Sequence, residues 1–169
     1  MRVLYSFAHS DPSGTPGVST PSGLSERAVS RDAFPAFRAE LEAKGHGVES
    51  YAGSLGPKIR LINKAIRSAE RAGEKFCSVE LHFNAVPAER EIELNKWRFG
   101  HLVMVRRDWP RAKALGRCVL DELARVMTWS RAIELVEMPD RKYGRKAWPM
   151  SVFPPAVLVE AGFREDSAF

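Results

Sequence analysis

Four ionisable side chains of this sequence have types and positions that could do chemistry together. His9 closes a strand-like run, RVLYSFAH, and His82 lies near the end of another, KFCSVELHF. Glu26 follows a loop rich in Ser, Pro and Gly and opens a helical stretch. Glu160 lies inside the apolar run AVLVEAGF, where an unpaired carboxylate is costly or has a shifted pKa. Such a residue requires an ionic partner, a metal ion or a catalytic role.

Two histidines and a glutamate with an open fourth position are a common ligand set of catalytic zinc, and a further glutamate can act as a general base. In an open α/β sheet, such sites form at the C-terminal edge of the strands. The spacing alone leaves simpler alternatives open. A histidine at a strand end is often a hydrogen-bonded structural residue, and Glu26 can be a solvated helix residue. Glu160 is the exception, because its sequence neighbours are apolar on both sides.

The elements that would position these residues alternate along the chain. Periodicity predicts helices over 24–44, 58–71 and from 110 to 126, with Pro35 expected to kink or split the first. Strands are predicted over 2–9, 46–52, 75–83, 100–107, 131–138 and 156–163. Strands that alternate with helices of about a dozen residues or more predict a mostly parallel sheet covered on both faces.

Length and charge fit a single domain with a moderately basic surface. The 169 residues suit one compact core, and 26 Lys and Arg against 21 Asp and Glu give a net charge of +5. This balance favours an anionic polymer such as cell wall, and leaves nucleic acid open. The helix over 58–71 is predicted to carry a basic face made of Lys58, Arg60, Lys64, Arg67 and Arg71.

Targeting signals and cysteines give little further information about the function. No window has the apolar run that a membrane span needs, and the first residues lack a signal-peptide pattern. We therefore expect synthesis in the cytoplasm, or export by a route that the sequence does not show. Cys77 and Cys118 lie in no CxxC or Cys/His cluster, and we expect two buried thiols.

Three segments resemble the motifs of one enzyme family. SVELHFNA, at 78–85, resembles the S-x-x-H-x-N-A motif of the zinc-dependent N-acetylmuramoyl-L-alanine amidases, which include bacterial cell-separation amidases and many phage endolysins. PPAVLVEAGF, at 154–163, resembles that family's P-A-x-L-V-E-x-G-F motif. HSDPSG, at 9–14, is similar to a shortened H-G-G-x-D-P-G opening. Order and spacing agree across nearly the whole chain.

The resemblance implies a three-layer α/β/α sandwich around a single mixed, mostly parallel sheet of about six strands, as one catalytic domain over 1–169. It implies one Zn²⁺ per chain held by His9, Glu26 and His82, with Glu160 as the catalytic carboxylate. The implied reaction is hydrolysis of the amide between N-acetylmuramic acid and L-alanine in peptidoglycan. That role would explain the charge in the last strand.

For each of three further residues, the sequence leaves both a functional role and a simpler structural role open. Asn84 is a substrate-binding candidate, or it orients the end of the strand that carries His82. Arg145 could reach an anionic group of the substrate, or it is a surface arginine. Asp11 could hydrogen-bond to a ligand histidine, or it closes a turn.

The sequence departs from the family pattern in three places. The opening lacks the double glycine after the histidine, which would allow His9 to be displaced. The segment SLGPKIRL stands where the family has a Thr-Arg pair. Glu80 occupies a strand position that is usually apolar in the family.

Two alternative functions stay open. One is a zinc amidohydrolase or carboxypeptidase that cuts another amide. The other is a non-catalytic domain that binds wall polymer or nucleic acid through the basic face. For the amidase we expect peptidoglycan as partner, no nucleic acid, and action at the cell wall or in the periplasm. The lack of a signal peptide and of wall-binding repeats favours a phage or prophage endolysin released by other means.

Overall fold

The computed structural model describes residues 1–14, 16–17, 25–84, 100–126, 132–138, 151–153 and 155–163. Three helices lie in this part of the chain, α1 (Glu26–Ala43), α2 (Leu55–Arg71) and α3 (Pro110–Val126). The strands there are β1 (Arg2–Phe7), β2 (Gly47–Tyr51), β3 (Phe76–Asn84), β4 (Gly100–Arg106), β5 (Ala132–Met138) and β6 (Ala156–Phe163). Every predicted element is present, with ends shifted by up to three residues.

The six strands form one mixed sheet in the order β2-β1-β3-β6-β4-β5. Strand β1 pairs in parallel with β2 and β3, and β3 pairs in parallel with β6. Strand β4 is antiparallel to β6 and parallel to β5. Because β1, β3 and β6 run in the same direction, their C-terminal ends meet at one edge, where the register places His82 opposite Glu160.

The side chains of the strands alternate between the two faces of the sheet, and each face packs against a layer of helices. On one face, Leu4 clusters with Ile62 and Ile66 of α2. On the other face, the ring of Tyr5 lies 4.9 Å from that of Phe34 in α1, and its hydroxyl donates a hydrogen bond to the Ser30 carbonyl at 3.0 Å.

Helix α3 covers the same face as α1. Val79 of β3 is the register partner of Tyr5, and it packs against the apolar cluster that includes Leu115 and Val119 of α3. The layers are therefore α1 and α3, the sheet, and α2. The predicted three-layer α/β/α sandwich around a mixed, mostly parallel sheet is confirmed.

Three local expectations were wrong, the first of them in part. Pro35 does not split α1 into two pieces, because Phe34 and Phe37 on either side pack against Tyr5 and hold this turn to the sheet. Cys77 is buried as expected, whereas Cys118 is exposed.

The third concerns Lys58, which was assigned to the exposed basic face but is only 3% exposed. Its position four residues before Ile62 places it on the buried stripe of α2, whose other members are Ile66 and Ala69. The remaining residues of the predicted basic face are exposed. None of the described helices is long and apolar enough to cross a membrane.

Gly116 allows α3 to approach the sheet. A Cβ atom there would lie 2.7 Å from Cγ1 of Val105 and 2.8 Å from Cδ1 of Leu135. We expect Gly116→Ala to destabilise the protein by about 1–3 kcal/mol through overpacking, measured by urea unfolding. The control is Arg117→Ala, on the exposed side of the same helix. A gain of about 1 kcal/mol for Gly116→Ala, as at an open helical glycine, would contradict this packing.

Candidate metal centre

Glu26 enters the site because a cap fixes where α1 begins. Ser25 is the N-cap, and its side chain accepts a hydrogen bond from the Ala28 amide at 3.2 Å. Glu26 is thus the first helical residue, where the helix dipole favours a carboxylate. It is 4% exposed, and it points to the strand edge at which His9 and His82 lie.

The side chains of His9, Glu26 and His82 converge. Nδ1 of His82 lies 2.7 Å from Oε1 of Glu26, and Nε2 of His9 lies 3.3 Å from Oε2 of the same carboxylate. One ligand atom from each of the three residues lies within 4.8 Å of the others. A group of this kind can hold a metal ion.

The backbone conformation at His9 explains how this histidine reaches the site although the HSDPSG segment is shorter than the family motif. Among the described non-glycine residues, His9 alone has a positive φ, of 47°. This left-handed conformation is sparsely populated, and it persists where surrounding contacts enforce it. The guanidinium of Arg27 supplies such contacts, since Nε donates to the His9 carbonyl at 2.5 Å and one terminal nitrogen donates to the carbonyls of Asp11 and Gly14. The missing double glycine therefore does not displace His9.

The opening loop returns to the site at Gly17. Its φ is +78°, and a Cβ atom would clash with the Glu26 carboxylate and lie 2.8 Å from Cδ2 of His9. Glycine thus permits both the backbone conformation and the close approach. Neither Gly17 nor Arg27 was predicted from the sequence, where the only signals were the Gly-containing loop and the position next to Glu26.

Glu160 extends the cluster along the sheet from His82, its register partner. Its Oε2 atom is buried and has no hydrogen-bond partner among the residues that the structure describes. Burial raises the pKa of Glu160 to about 7, and the charges of Glu26 and Glu80 add to this rise while that of His82 opposes it. A buried carboxylate oxygen without a partner is the kind of group that a reacting substrate or water molecule would satisfy.

His82 lies between carboxylates. Burial lowers its pKa, but the hydrogen bond to Glu26 and the close carboxylate of Glu80 outweigh this and raise the pKa to about 10. Without a metal, the imidazole is therefore a cation that neutralises part of the surrounding negative charge. A cleft of about 390 Å³ lies beside this cluster, and its lining includes His9, Asp11, Lys58 and His82.

The structure tests the expectation for Asp11, but not those for Asn84 and Arg145. Oδ1 of Asp11 accepts hydrogen bonds from the amide and hydroxyl of Ser13 at 3.0 and 2.8 Å, so the structure supports the turn alternative. Within the described part of the chain, no hydrogen bond joins Asp11 to a histidine. Asn84 is the last residue of β3, and the structure does not describe its side chain. Arg145 lies outside the described residues.

Gly17→Ala should damage the metal centre specifically. A left-handed backbone costs an alanine about 1–2 kcal/mol, and the new Cβ would also push Glu26 or His9 aside. We expect Zn²⁺, used as the probe in a chelator competition titration, to bind at least ~10-fold more weakly.

The matched control is Gly45→Ala, where φ is +77° and no atom lies within 4 Å of the point that a Cβ would occupy. This variant should lose comparable stability but keep the affinity of the wild-type protein for Zn²⁺. Equal affinity in Gly17→Ala and Gly45→Ala would show that Gly17 does not shape the site.

The fold is similar to those of several solved structures, which include N-acetylmuramoyl-L-alanine amidases, another amidase and the catalytic domain of an endolysin. For the amidase AmiC2 of Nostoc punctiforme, the TM-score is 0.66 at 19% identity, over 97% of this chain and 80% of that one. The CwlD amidase from Clostridioides difficile, in complex with the GerS lipoprotein, gives 0.66 at 20% identity, over 96% and 82%. The catalytic domain of the CD27L endolysin, which targets Clostridia difficile, gives 0.63 at 20%, over 98% and 83%.

No family model and no curated protein matches this sequence. At identities of 19–20% the structural likeness establishes the fold. The resemblance indicated by the sequence motifs is confirmed at that level. The chain therefore has the α/β fold of the N-acetylmuramoyl-L-alanine amidases.

Proposed function

We propose that this protein is a zinc-dependent N-acetylmuramoyl-L-alanine amidase, a hydrolase that cuts the amide between N-acetylmuramic acid and L-alanine in peptidoglycan. One Zn²⁺ per chain would be held by His9, Glu26 and His82, with Glu160 as the catalytic residue. One observation carries the proposal. Three metal-ligand side chains converge within 4.8 Å beside a buried carboxylate oxygen of Glu160 that has no hydrogen-bond partner among the described residues, on a fold shared with these amidases.

The donor set fits zinc. Two imidazole nitrogens and one carboxylate oxygen leave a fourth tetrahedral position open, as in catalytic zinc sites. When bound, zinc polarises the carbonyl of the scissile amide and lowers the pKa of water towards ~7. The remaining steps belong to the chain's own side chains.

Glu160 would move the proton. Its Oε2 atom would accept a proton from the attacking water and then donate it to the nitrogen of the departing L-alanine. Burial favours the protonated form of this carboxyl, which helps it to hold the proton before passing it to the departing nitrogen. Burial also keeps bulk water from competing for this oxygen. The products would be a free lactyl carboxylate on the sugar and a stem peptide with a new L-alanine amino terminus.

The proposed partner is peptidoglycan, reached at the cell wall, with no role for nucleic acid. The exposed cations on α2 (Arg60, Lys64, Arg67 and Arg71) would favour approach to anionic wall polymers. The proposal includes a lytic role of phage or prophage origin, and an endolysin catalytic domain is one of the proteins with this fold.

Glu160→Gln should separate metal binding from catalysis. Glutamine keeps the size of the side chain but cannot take up the proton. We therefore expect one Zn²⁺ per chain, as in the wild type, with kcat for peptidoglycan hydrolysis reduced by about 10²–10⁴-fold. Metal content and the release of L-alanine amino termini would be measured on the same preparation.

The control is Glu134→Gln, an exposed carboxylate of β5, which should retain both properties. His82→Ala should lose the metal as well as the activity. Wild-type protein that binds zinc but releases no L-alanine termini would redirect the assignment to another amide. Full activity in Glu160→Gln would remove Glu160 from the mechanism.

A further inference from the structure

Glu80 is a buried carboxylate to which the proposed reaction assigns no role. It lies two residues before His82 in β3, so both side chains point to the same face of the sheet, towards α2. Glu80 is only 2% exposed. An isolated charge at this depth would be strongly destabilising, so its partners must account for its presence.

One oxygen of Glu80 is fully engaged by two donors. Oε1 accepts hydrogen bonds from the Ser6 hydroxyl at 2.8 Å and from Nζ of Lys58 at 2.6 Å. Lys58 is itself buried, and it also donates to the Phe7 carbonyl at 2.6 Å. The ammonium group thus ties the end of β1, which leads into His9, to β3, which carries His82. Charge-assisted hydrogen bonds of this kind fix geometry strongly.

The other oxygen of Glu80 faces the metal centre. Oε2 lies 3.4 Å from Nε2 of His82, while Nδ1 of the same ring points to Glu26 at 2.7 Å. The two ring nitrogens are therefore divided between two carboxylates. In metal sites, a ligand histidine usually donates its second N–H to a carboxylate, carbonyl or water, which sets its tautomer and orientation.

We propose that Glu80, held by Lys58 and Ser6, is a positioning residue for His82: it accepts the hydrogen of Nε2 and leaves Nδ1 for the metal. The inference rests on the proposed function, because it requires a metal at this site. It also accounts for Glu80 at a strand position where the resembling family is usually apolar. Lys58 balances the charge of this carboxylate, which would otherwise add to those of Glu26 and Glu160.

The first test measures metal affinity and the state of the ring. We expect Glu80→Gln to bind Zn²⁺ about 10–100-fold more weakly than the wild type in chelator competition. Glu42→Gln, an exposed carboxylate on α1, should bind as the wild type does. Long-range ¹H–¹⁵N spectra of the zinc-loaded wild type should show His82 protonated at Nε2 and metal-bound at Nδ1.

A second variant separates positioning from folding. Replacing both partners in Lys58→Met/Glu80→Leu leaves no unpaired buried charge, so the fold should survive. We expect its urea midpoint to stay near that of the wild type while zinc affinity falls about 10–100-fold. This readout is one that a purely structural ion pair would not move.

Two outcomes would overturn the inference alone: wild-type zinc affinity in both Glu80 variants, or a wild-type spectrum with Nε2 of His82 on the metal. In either case the zinc-loaded wild type still cuts its amide, and the proposed function stands. Wild-type protein that binds no zinc overturns both the proposed function and the role of Glu80.

Discussion

The site depends on one buried carboxylate, Glu26, to which two histidines turn: His9, two residues after the end of β1, and His82 of β3. Its oxygens lie 2.7 Å from Nδ1 of His82 and 3.3 Å from Nε2 of His9. A carboxylate that is 4% exposed needs compensating positive charge, and in the absence of metal the imidazolium of His82 provides it. Replacing that proton by a divalent cation would satisfy the same requirement with more charge and defined geometry.

The order and register of the strands, together with the position of α1, bring these side chains to one place. Placing β3 between β1 and β6 brings three parallel strand ends together, and the pairing of His82 with Glu160 adds a second carboxylate. The N-terminus of α1 then brings Glu26 to the same edge. The left-handed backbone at His9 is a local strain that the Arg27 contacts can hold, whereas Gly17 approaches Glu26 and His9 without strain because it has no Cβ.

Much of this could be predicted from the sequence, for physical reasons. Apolar periodicity located every helix and strand in the described part of the chain, and the carboxylate inside an apolar strand singled out Glu160. The inward direction of Lys58 was also present in the sequence, since it shares the spacing of Ile62 and Ile66, but its charge suggested solvent. The pairing of Lys58 with Glu80 could not be predicted from the sequence, because that contact joins α2 to β3 and depends on how the layers pack. Likewise, Pro35 predicted a kinked or split helix, and packing against the sheet prevented the split.

The most direct measurement is anomalous diffraction at the zinc edge from crystals of the zinc-loaded wild type. We expect one peak per chain, bonded at about 2.0–2.2 Å to Nε2 of His9, a carboxylate oxygen of Glu26 and Nδ1 of His82, with Glu160 beside the open position. A zinc peak elsewhere in the chain, with these three side chains joined only to one another, would contradict the proposed metal centre.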